Sequence, residues 1–259
     1  MSGSISLARA DGIARVVISH PGKLNAMSRA MWRELRAVFE AIQQDASLRA
    51  VVIYGPDHFC AGGDISEYAS FRFEEQGLRD FHENDVWGGL QAMLDCDVPI
   101  VAQIEGNCMG AGVEIASCCD IRIASDTARF GAPIAKLGFP MAPREAALVA
   151  RAVGELTARE MLLSAAVLDA AQMQQRGFLN QVVVASGLDT AVDACVQRMR
   201  GLAPQAARLN KQTFRALATV DIARVAPDLI ANSYRYASSG EHREGVTAFI
   251  EKRTPRFVP

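Results

Sequence analysis

Two glycine-rich stretches hold the residues of this chain that are best suited to chemistry. Residues 59–65 read FCAGGDI and residues 106–114 read GNCMGAGVE, and each stretch follows an apolar run typical of a strand and leads towards a helix. Small side chains leave backbone N–H groups accessible to a ligand, and two such groups converging on one oxygen form an oxyanion hole. Glu114 lies at the predicted helix start, where the helix dipole favours a carboxylate. The pattern predicts proton chemistry beside an activated carbonyl group.

The elements that must position these stretches alternate between strands and helices. Runs rich in β-branched residues predict strands at 13–18, 51–54, 99–104, 121–124 and 182–184. This alternation predicts an α/β core whose sheet is at least partly parallel. From about Leu188 the chain becomes alanine-rich and poor in strand signals, which predicts a helical C-terminal region.

Capping residues mark where helices are expected to begin. Ser28 is a predicted N-cap, because a hydrophobic face at helical spacing follows it. Residues 157–160 (TARE) and 169–172 (DAAQ) both have capping-box spacing, so we expect a helix to begin at each. Pro204 and Pro227 suit first-turn positions of helices.

Composition argues against several classes of protein. The 259 residues are half hydrophobic and carry a formal net charge of -2, which argues against a nucleic-acid-binding surface. We expect no signal peptide, because residues 2–11 contain no apolar core flanked by basic residues. No segment approaches the roughly 20 apolar residues that span a bilayer. The six cysteines lack metal-ligand spacing, and we interpret them as small core residues in a reducing cytoplasm.

The two stretches, together with four further segments, resemble the crotonase family, the enoyl-CoA hydratase/isomerase superfamily. The resemblance spans nearly the whole chain in order. It implies an α/β fold, a crotonase-type spiral of ββα units with a helical C-terminal trimerisation region. Residues 1–187 would form the spiral core with the CoA-thioester site, and residues 188–259 the helical region. The further segments are 22–27 (GKLNAM), 118–124 (CCDIRIA), 130–133 (FGAP) and 244–253 (EGVTAFIEKR).

The resemblance also implies roles for individual residues. The N–H groups of Ala61 and Ala111 would stabilise the enolate of an acyl-CoA thioester, and Glu114 would act as general acid or base. Burial under the acyl chain would raise the pKa of Glu114, against the effect of the helix dipole. The residues implied to bind the substrate or its CoA are Lys23, Leu24, Ala26, Gly63, Asp64, Ile65, Ile134, Phe249 and Lys252, of which Phe249 and Lys252 would reach the CoA of a neighbouring subunit.

The same resemblance implies what accompanies the chain. No metal or redox cofactor is implied. Coenzyme A takes part only as a portion of the substrate. The implied partners are the acyl-CoA and further copies of this chain, in a cytoplasmic homotrimer or hexamer, with no nucleic acid and no membrane.

One position departs from the family pattern. Family hydratases carry a second glutamate directly after the Phe-Gly-x-Pro segment, and Ile134 stands there in this chain. In hydration two carboxylates hold the reacting water, and an isoleucine can neither orient it nor take its proton. Reversible hydration of a 2-enoyl-CoA is the leading expectation. Isomerisation, decarboxylation, acyl-CoA hydrolysis and non-catalytic CoA binding are the alternatives.

Polar residues in two other segments are candidates for the missing group. His82 and Glu83 follow the first glycine-rich stretch, in a region that borders the acyl pocket in relatives and holds a catalytic histidine in some of them. His82 could equally be a satisfied helix residue. Arg144 and Glu145 lie near a predicted helix start, where they would form a surface ion pair or hold an acidic acyl group.

Overall fold

The computed structural model describes residues 2–217, 231–232 and 234–256. Its strands are β1 (Ser4–Ala10), β2 (Ile13–Ser19), β3 (Ala50–Tyr54), β4 (Ile100–Ile104), β5 (Asn107–Met109), β6 (Ile121–Ser125), β7 (Arg129–Gly131), β8 (Val167–Asp169) and β9 (Gln181–Val183). The larger sheet has the order β1-β2-β3-β4-β6-β9. Only β1 and β2 pair antiparallel within it, and the other neighbours are parallel. The predicted strands and the largely parallel α/β core are therefore confirmed.

Both faces of the larger sheet are buried, as expected for parallel strands. Successive side chains of a strand point to opposite faces. Val51 and Ile53 of β3 therefore lie in the main core with Trp32. Ala50 and Val52 face the other way, into a smaller core against residues 188–200.

A smaller sheet joins the two glycine-rich stretches to the rest of the fold. β5 pairs parallel with β7, and β7 pairs antiparallel with β8. The first stretch lies beside β5, because the Cys60 N–H donates to the Asn107 carbonyl and the Met109 N–H donates to the Cys60 carbonyl, both at 2.9 Å. This pairing brings together two stretches that are far apart in the sequence.

The helices surround these sheets. The α-helices of the described residues are α1 (Arg29–Gln43), α2 (Glu75–Asp80), α3 (Trp87–Asp95), α4 (Ala111–Ser117), α5 (Pro143–Val153), α6 (Glu155–Leu163), α7 (Ala170–Gln175), α8 (Leu188–Arg200), α9 (Pro204–Leu217) and α10 (Gly240–Ile250). A π-helix covers Phe81–Val86, and short 3₁₀ helices cover Ile65–Ser70, Ile134–Leu137, Ala185–Gly187 and Arg235–Ser238.

Three of the predicted helix starts are confirmed and one is wrong. The Ser28 hydroxyl accepts from the Met31 N–H at 3.3 Å, and Asp169 forms the predicted capping box at the start of α7. Pro204 begins α9, whereas Pro227 lies outside the described residues. Thr157 does not cap a helix, because α6 already begins at Glu155, directly after Gly154 with its φ of 83°. Because α6 follows α5 after a single residue, Thr157 lies in the first turn of α6 and its side chain is buried.

The C-terminal region is helical, as expected, but its first helix belongs to the sheet. Leu188, Val192 and Val196 of α8 form the smaller core with the larger sheet. The division at residues 187 and 188 stays a prediction. All six cysteines are free and buried, which agrees with their interpretation as core residues. Within the described part of the chain, no helix is long and apolar enough to cross a membrane.

Candidate active site

A cavity of about 270 Å³ is bordered by both glycine-rich stretches. Its wall is largely apolar and includes the side chains of Trp32, Phe81 and Phe139. Of the predicted site residues, the cavity is lined by Ala61, Gly63, Ile65, Ala111, Glu114, Ile134 and Phe249. The fold thus brings the three predicted catalytic residues to one cavity.

Gly63 contributes a backbone N–H that no group of the described residues binds. It bridges to Met27 in parallel fashion, with the Met27 N–H donating to the Gly62 carbonyl and the Asp64 N–H donating to the Met27 carbonyl, both at 2.8 Å. Since successive peptide groups of an extended chain point to opposite sides, the Gly63 N–H points away from Met27. Among the described residues it has no acceptor. A larger residue here would require the Tyr68 side chain to move, because an added Cβ would lie 2.0 Å from the Tyr68 hydroxyl.

Ala61 also lines the cavity, but its N–H donates to the Leu24 carbonyl at 3.0 Å. The prediction that this N–H is an oxyanion donor is therefore wrong. The reason is that successive N–H groups of an extended chain point to opposite sides. The Cys60 N–H points to Asn107 of β5, so the Ala61 N–H points to Leu24 instead. The Gly63 N–H, two residues later, has no acceptor among the described residues.

Ala111 contributes the second N–H at the start of α4. Gly110 turns the chain with a φ of 48°, and its own N–H donates to the Gly131 carbonyl at 2.8 Å. The first N–H groups of a helix have no acceptor within the helix, and that of Ala111 has none elsewhere among the described residues. A Cβ on Gly110 would lie 3.6 Å from the Gly62 Cα atom, so the two turns pack closely.

Glu114 lies in the first turn of α4 and lines the cavity. Its carboxyl group has no hydrogen-bond partner among the described residues. Burial, together with the charge of Glu145, raises the pKa of Glu114 to about 8, although the Arg72 guanidinium acts in the opposite direction. Burial therefore outweighs the helix dipole, as expected, and the carboxyl group is mostly protonated at neutral pH.

A histidine and a second glutamate lie beside the cavity as a buried pair. The His82 Nδ1 and Glu145 Oε1 atoms are 3.0 Å apart, and His82 lines the cavity. Burial lowers the pKa of His82, although Glu145 opposes this effect. A neutral imidazole that donates from Nδ1 to a carboxylate holds its lone pair on Nε2. Nε2 is buried and has no hydrogen-bond partner among the described residues.

The expected surface ion pair between Arg144 and Glu145 is wrong, because the two side chains point to different partners, whereas contact with an acidic acyl group stays a prediction. Arg144 Nη1 donates to Glu83 Oε2 at 2.6 Å, and the Tyr234 hydroxyl donates to Glu83 Oε1 at 2.8 Å. Glu145 is instead 2% exposed and pairs with His82. Arg144 and Glu145 lie next to each other on α5, so their side chains leave the helix in different directions.

The predicted CoA-binding residues divide into two groups. Lys23 Nζ donates to Asp64 Oδ2 at 2.6 Å and to the Ser66 hydroxyl at 2.8 Å, which ties the segment before α1 to the first stretch. Five residues of the set do not line the cavity, namely Lys23, Leu24, Ala26, Asp64 and Lys252. Phe249 lines the cavity of its own chain, whereas the resemblance implied contact with the CoA of a neighbouring subunit.

Sequence reasoning missed one cavity residue and gave another a different role. Arg72 is 1% exposed and lines the cavity, and its only local signal is a cation between Phe71 and Phe73. Glu145 was noted for a surface or substrate contact but not as a partner of His82, since 63 residues separate them. Among the described residues, no group of three or more His, Cys, Asp or Glu side chains could hold a metal ion.

Comparison with known proteins identifies the family of this chain. The sequence profile of the enoyl-CoA hydratase/isomerase family matches residues 8–258. The chain belongs to this family. A probable enoyl-CoA hydratase of Mycobacterium leprae is 32% identical over 96% of each chain. The 2,3-dehydroadipyl-CoA hydratase of Escherichia coli is 30% identical over 97% of each.

A solved structure confirms the fold that the resemblance implied. The enoyl-CoA hydratase/carnitine racemase of Magnetospirillum magneticum superimposes with a TM-score of 0.81 at 32% identity, over 98% of this chain and 95% of that one. This enoyl-CoA hydratase/isomerase chain therefore has the crotonase fold and is an enzyme of that type.

Proposed function

We propose that this chain catalyses the reversible hydration of a 2-enoyl-CoA. The observation that carries the proposal is the cavity in which the Glu114 carboxyl and the N–H groups of Gly63 and Ala111 occur together. The names of the relatives support the same reaction. Ile134 lines the cavity at the position of the missing glutamate, so the second proton-transfer group must come from another residue.

The first requirement of hydration is stabilisation of negative charge on the thioester oxygen. We assign this role to the N–H groups of Gly63 and Ala111, which have no other acceptor among the described residues. Both are fixed by the backbone, so they need no reorganisation as charge develops. Loss of one such donor typically raises the barrier by about 3–4 kcal/mol. Negative charge on the thioester oxygen develops in each of the catalytic reactions that the sequence left open.

The second requirement is a proton for the α-carbon. Because its pKa is about 8, Glu114 is protonated near neutral pH and is assigned as the general acid. As water oxygen bonds to the β-carbon, the electron pair of the double bond moves towards the thioester, and the Glu114 proton is transferred to the α-carbon. The carboxylate left on Glu114 takes the proton back in the reverse elimination.

The third requirement is a base for the attacking water, and we assign it to His82 Nε2. The imidazole lines the cavity and is neutral, with Glu145 on its other nitrogen. Glu145 acts as a positioning residue, because its bond to Nδ1 fixes the ring orientation and the tautomer. The proton that leaves water goes to Nε2, and the positive imidazolium is then stabilised by the Glu145 carboxylate.

The reaction is tested by ultraviolet absorbance with crotonyl-CoA, since hydration removes the conjugated enoyl-thioester band. We expect wild-type protein to remove the band and Glu114→Gln to lose about 10²–10⁴-fold in kcat, with CoA binding retained in calorimetry. The matched control is Glu241→Gln, at an exposed glutamate of α10, which should retain activity. A wild-type protein that leaves this band unchanged but forms it from a 3-enoyl-CoA would be an isomerase and would overturn the proposal.

The role of the buried pair is tested by the pH profile. The active form has neutral His82 and protonated Glu114, so kcat is bell-shaped, with its acidic limb below the ordinary histidine pKa of 6.5 and its alkaline limb near pH 8. The charge of Glu145 raises both pKa values, so Glu145→Gln should move both limbs to lower pH. A purely structural loss would lower the whole profile without moving it, and would remove His82 and Glu145 from the mechanism.

Assembly, location and cofactor use are further parts of the proposal. We propose a homotrimer or hexamer that needs no metal or redox cofactor and works in the cytoplasm. Support for self-association comes from α9, where Leu209, Phe214 and Leu217 are each at least half exposed. Light scattering coupled to size-exclusion chromatography measures the mass, and a monomer at micromolar concentration would contradict the assembly.

A further inference from the structure

Arg72 is a buried cation in the wall of an otherwise largely apolar cavity. Its side chain is among the largest fully buried ones, at 1% exposure. The guanidinium lies 4.1 Å from the ring centres of both Tyr68 and Phe139 and 5.5 Å from that of Phe81. These four side chains all line the cavity. The charge is thus held in place by aromatic faces.

The guanidinium lacks the anionic partner that a buried arginine normally has. No carboxylate of the described residues forms an ion pair with it, although many other arginines of the chain have one. Its Nη2 atom donates to the Tyr236 hydroxyl at 3.3 Å. The Nε atom is buried without a partner among the described residues. Arginine stays charged under all relevant conditions, so its unused N–H donors remain strong.

Such an arrangement favours a ligand that brings the missing charge. Removing a cation from water without an anion is unfavourable, and cation–π contacts offset only part of the loss. A carboxylate that enters the cavity would restore the pair and accept the free N–H groups in the planar geometry that arginine prefers. A neutral alkyl chain would leave the guanidinium without an anionic partner.

We infer that the preferred substrate is a 2-enoyl-CoA whose acyl chain ends in a carboxylate, and that Arg72 binds this carboxylate. The inference rests on the proposed function and deepens it by naming the substrate class. Arg144 cannot play this part, because its guanidinium is paired with Glu83. Lys136 also lines the cavity, but it is exposed and belongs to the rim.

The first test measures binding and needs no turnover. Wild-type protein is titrated calorimetrically with saturated acyl-CoA esters in matched pairs, pentanoyl-CoA against glutaryl-CoA and hexanoyl-CoA against adipyl-CoA. In at least one pair we expect the carboxyl-ended ester to bind about 10–100-fold more tightly, the usual range for a hydrogen bond to a charged group. Tighter binding of the methyl-ended ester in both pairs would overturn the inference. Because these esters carry no double bond, the result is independent of whether hydration occurs.

The second test separates substrate recognition from a role in balancing the charge of Glu114. Arg72→Met should lower kcat/KM with hex-2-enedioyl-CoA by about 10–100-fold more than it lowers kcat/KM with hex-2-enoyl-CoA. Arg72→Lys keeps the charge and should retain an intermediate preference for the carboxyl end. Equal losses with both substrates would show that Arg72 serves Glu114 instead. If Arg72→Met does not fold, the binding comparison on wild-type protein still decides the inference.

Discussion

Replacing Glu114 with glutamine should make the protein more stable relative to wild type at pH 8 than at pH 5. The folded state holds the pKa of Glu114 at about 8, against an ordinary value of 4.5. Between these values the folded protein binds more protons than the unfolded chain, so its free energy of unfolding falls as the pH rises through this window. Glutamine is neutral at every pH and removes this loss. It also removes the repulsion from Glu145, which contributes to the raised pKa.

The size of the effect follows from the pKa shift. At about 1.4 kcal/mol per pKa unit, the rise from 4.5 to about 8 corresponds to roughly 5 kcal/mol. Most of this loss of folding stability is absent at pH 5, where the carboxyl group of the unfolded chain is itself partly protonated. Water that reaches the carboxyl through the cavity reduces the value, and we expect a difference of about 2 kcal/mol between the two pH values. For a chain of this length that is about 4–8 °C in Tm.

The assay is thermal unfolding by circular dichroism of wild type and Glu114→Gln at pH 5 and pH 8. The buried amide of glutamine lowers the stability of the variant by a similar amount at both pH values, so the informative quantity is the change in the Tm difference with pH. Glu241→Gln, at an exposed glutamate, is the control and should show no such change. A Tm difference for Glu114→Gln that is equal at pH 5 and pH 8 would refute the view that Glu114 is buried with a raised pKa.

Three further predictions concern the site and the elements that hold it. Gly63→Ala should lower kcat by about 10²-fold in the hydration assay, because the added Cβ meets the Tyr68 hydroxyl and must shift the N–H; activity within threefold of wild type would contradict this. Asp169→Ala should lower the free energy of unfolding by about 1 kcal/mol in urea, through loss of the capping box of α7; no change in the urea midpoint would contradict that role. Arg122→Met should lower it by about 3 kcal/mol, because the Arg122 guanidinium donates to the backbone carbonyls of Ala116 and Cys119 at the end of α4 and of Phe178 after α7; a loss under 1 kcal/mol would show that these bonds are replaced by water.

Local patterns in the sequence were sufficient to predict most of the strands and helix starts and part of the site. β-branched runs predicted the strands, and cap residues predicted the starts of α1 and α7, because these signals act within a few residues. Glu114 and Ala111 could be placed beside the cavity because they lie within four residues of each other at one helix start. The family, too, followed from motifs in order along the chain.

The direction of backbone groups and the pairing of distant side chains depended on the tertiary structure. Ala61 and Gly63 are equally small, and only the bridge to Met27 and the bond to Leu24 show which N–H is free. The wrong helix start at Thr157 has a similar cause, since Gly154 lets α6 begin earlier. In both cases the residue pattern was compatible with two registers. Long-range pairing selected the register at Gly63, and the turn at Gly154 selected the start of α6.

The sequence by itself determined the family, the α/β core and the presence of a carboxylate beside a glycine-rich turn. Only the tertiary structure decided that His82 meets Glu145 and that Arg72 lies in the cavity wall with no anionic partner among the described residues. The physical reason is that capping and periodicity depend on neighbours in the chain. The charge state of a buried group, in contrast, depends on every dipole and charge that folding brings near it.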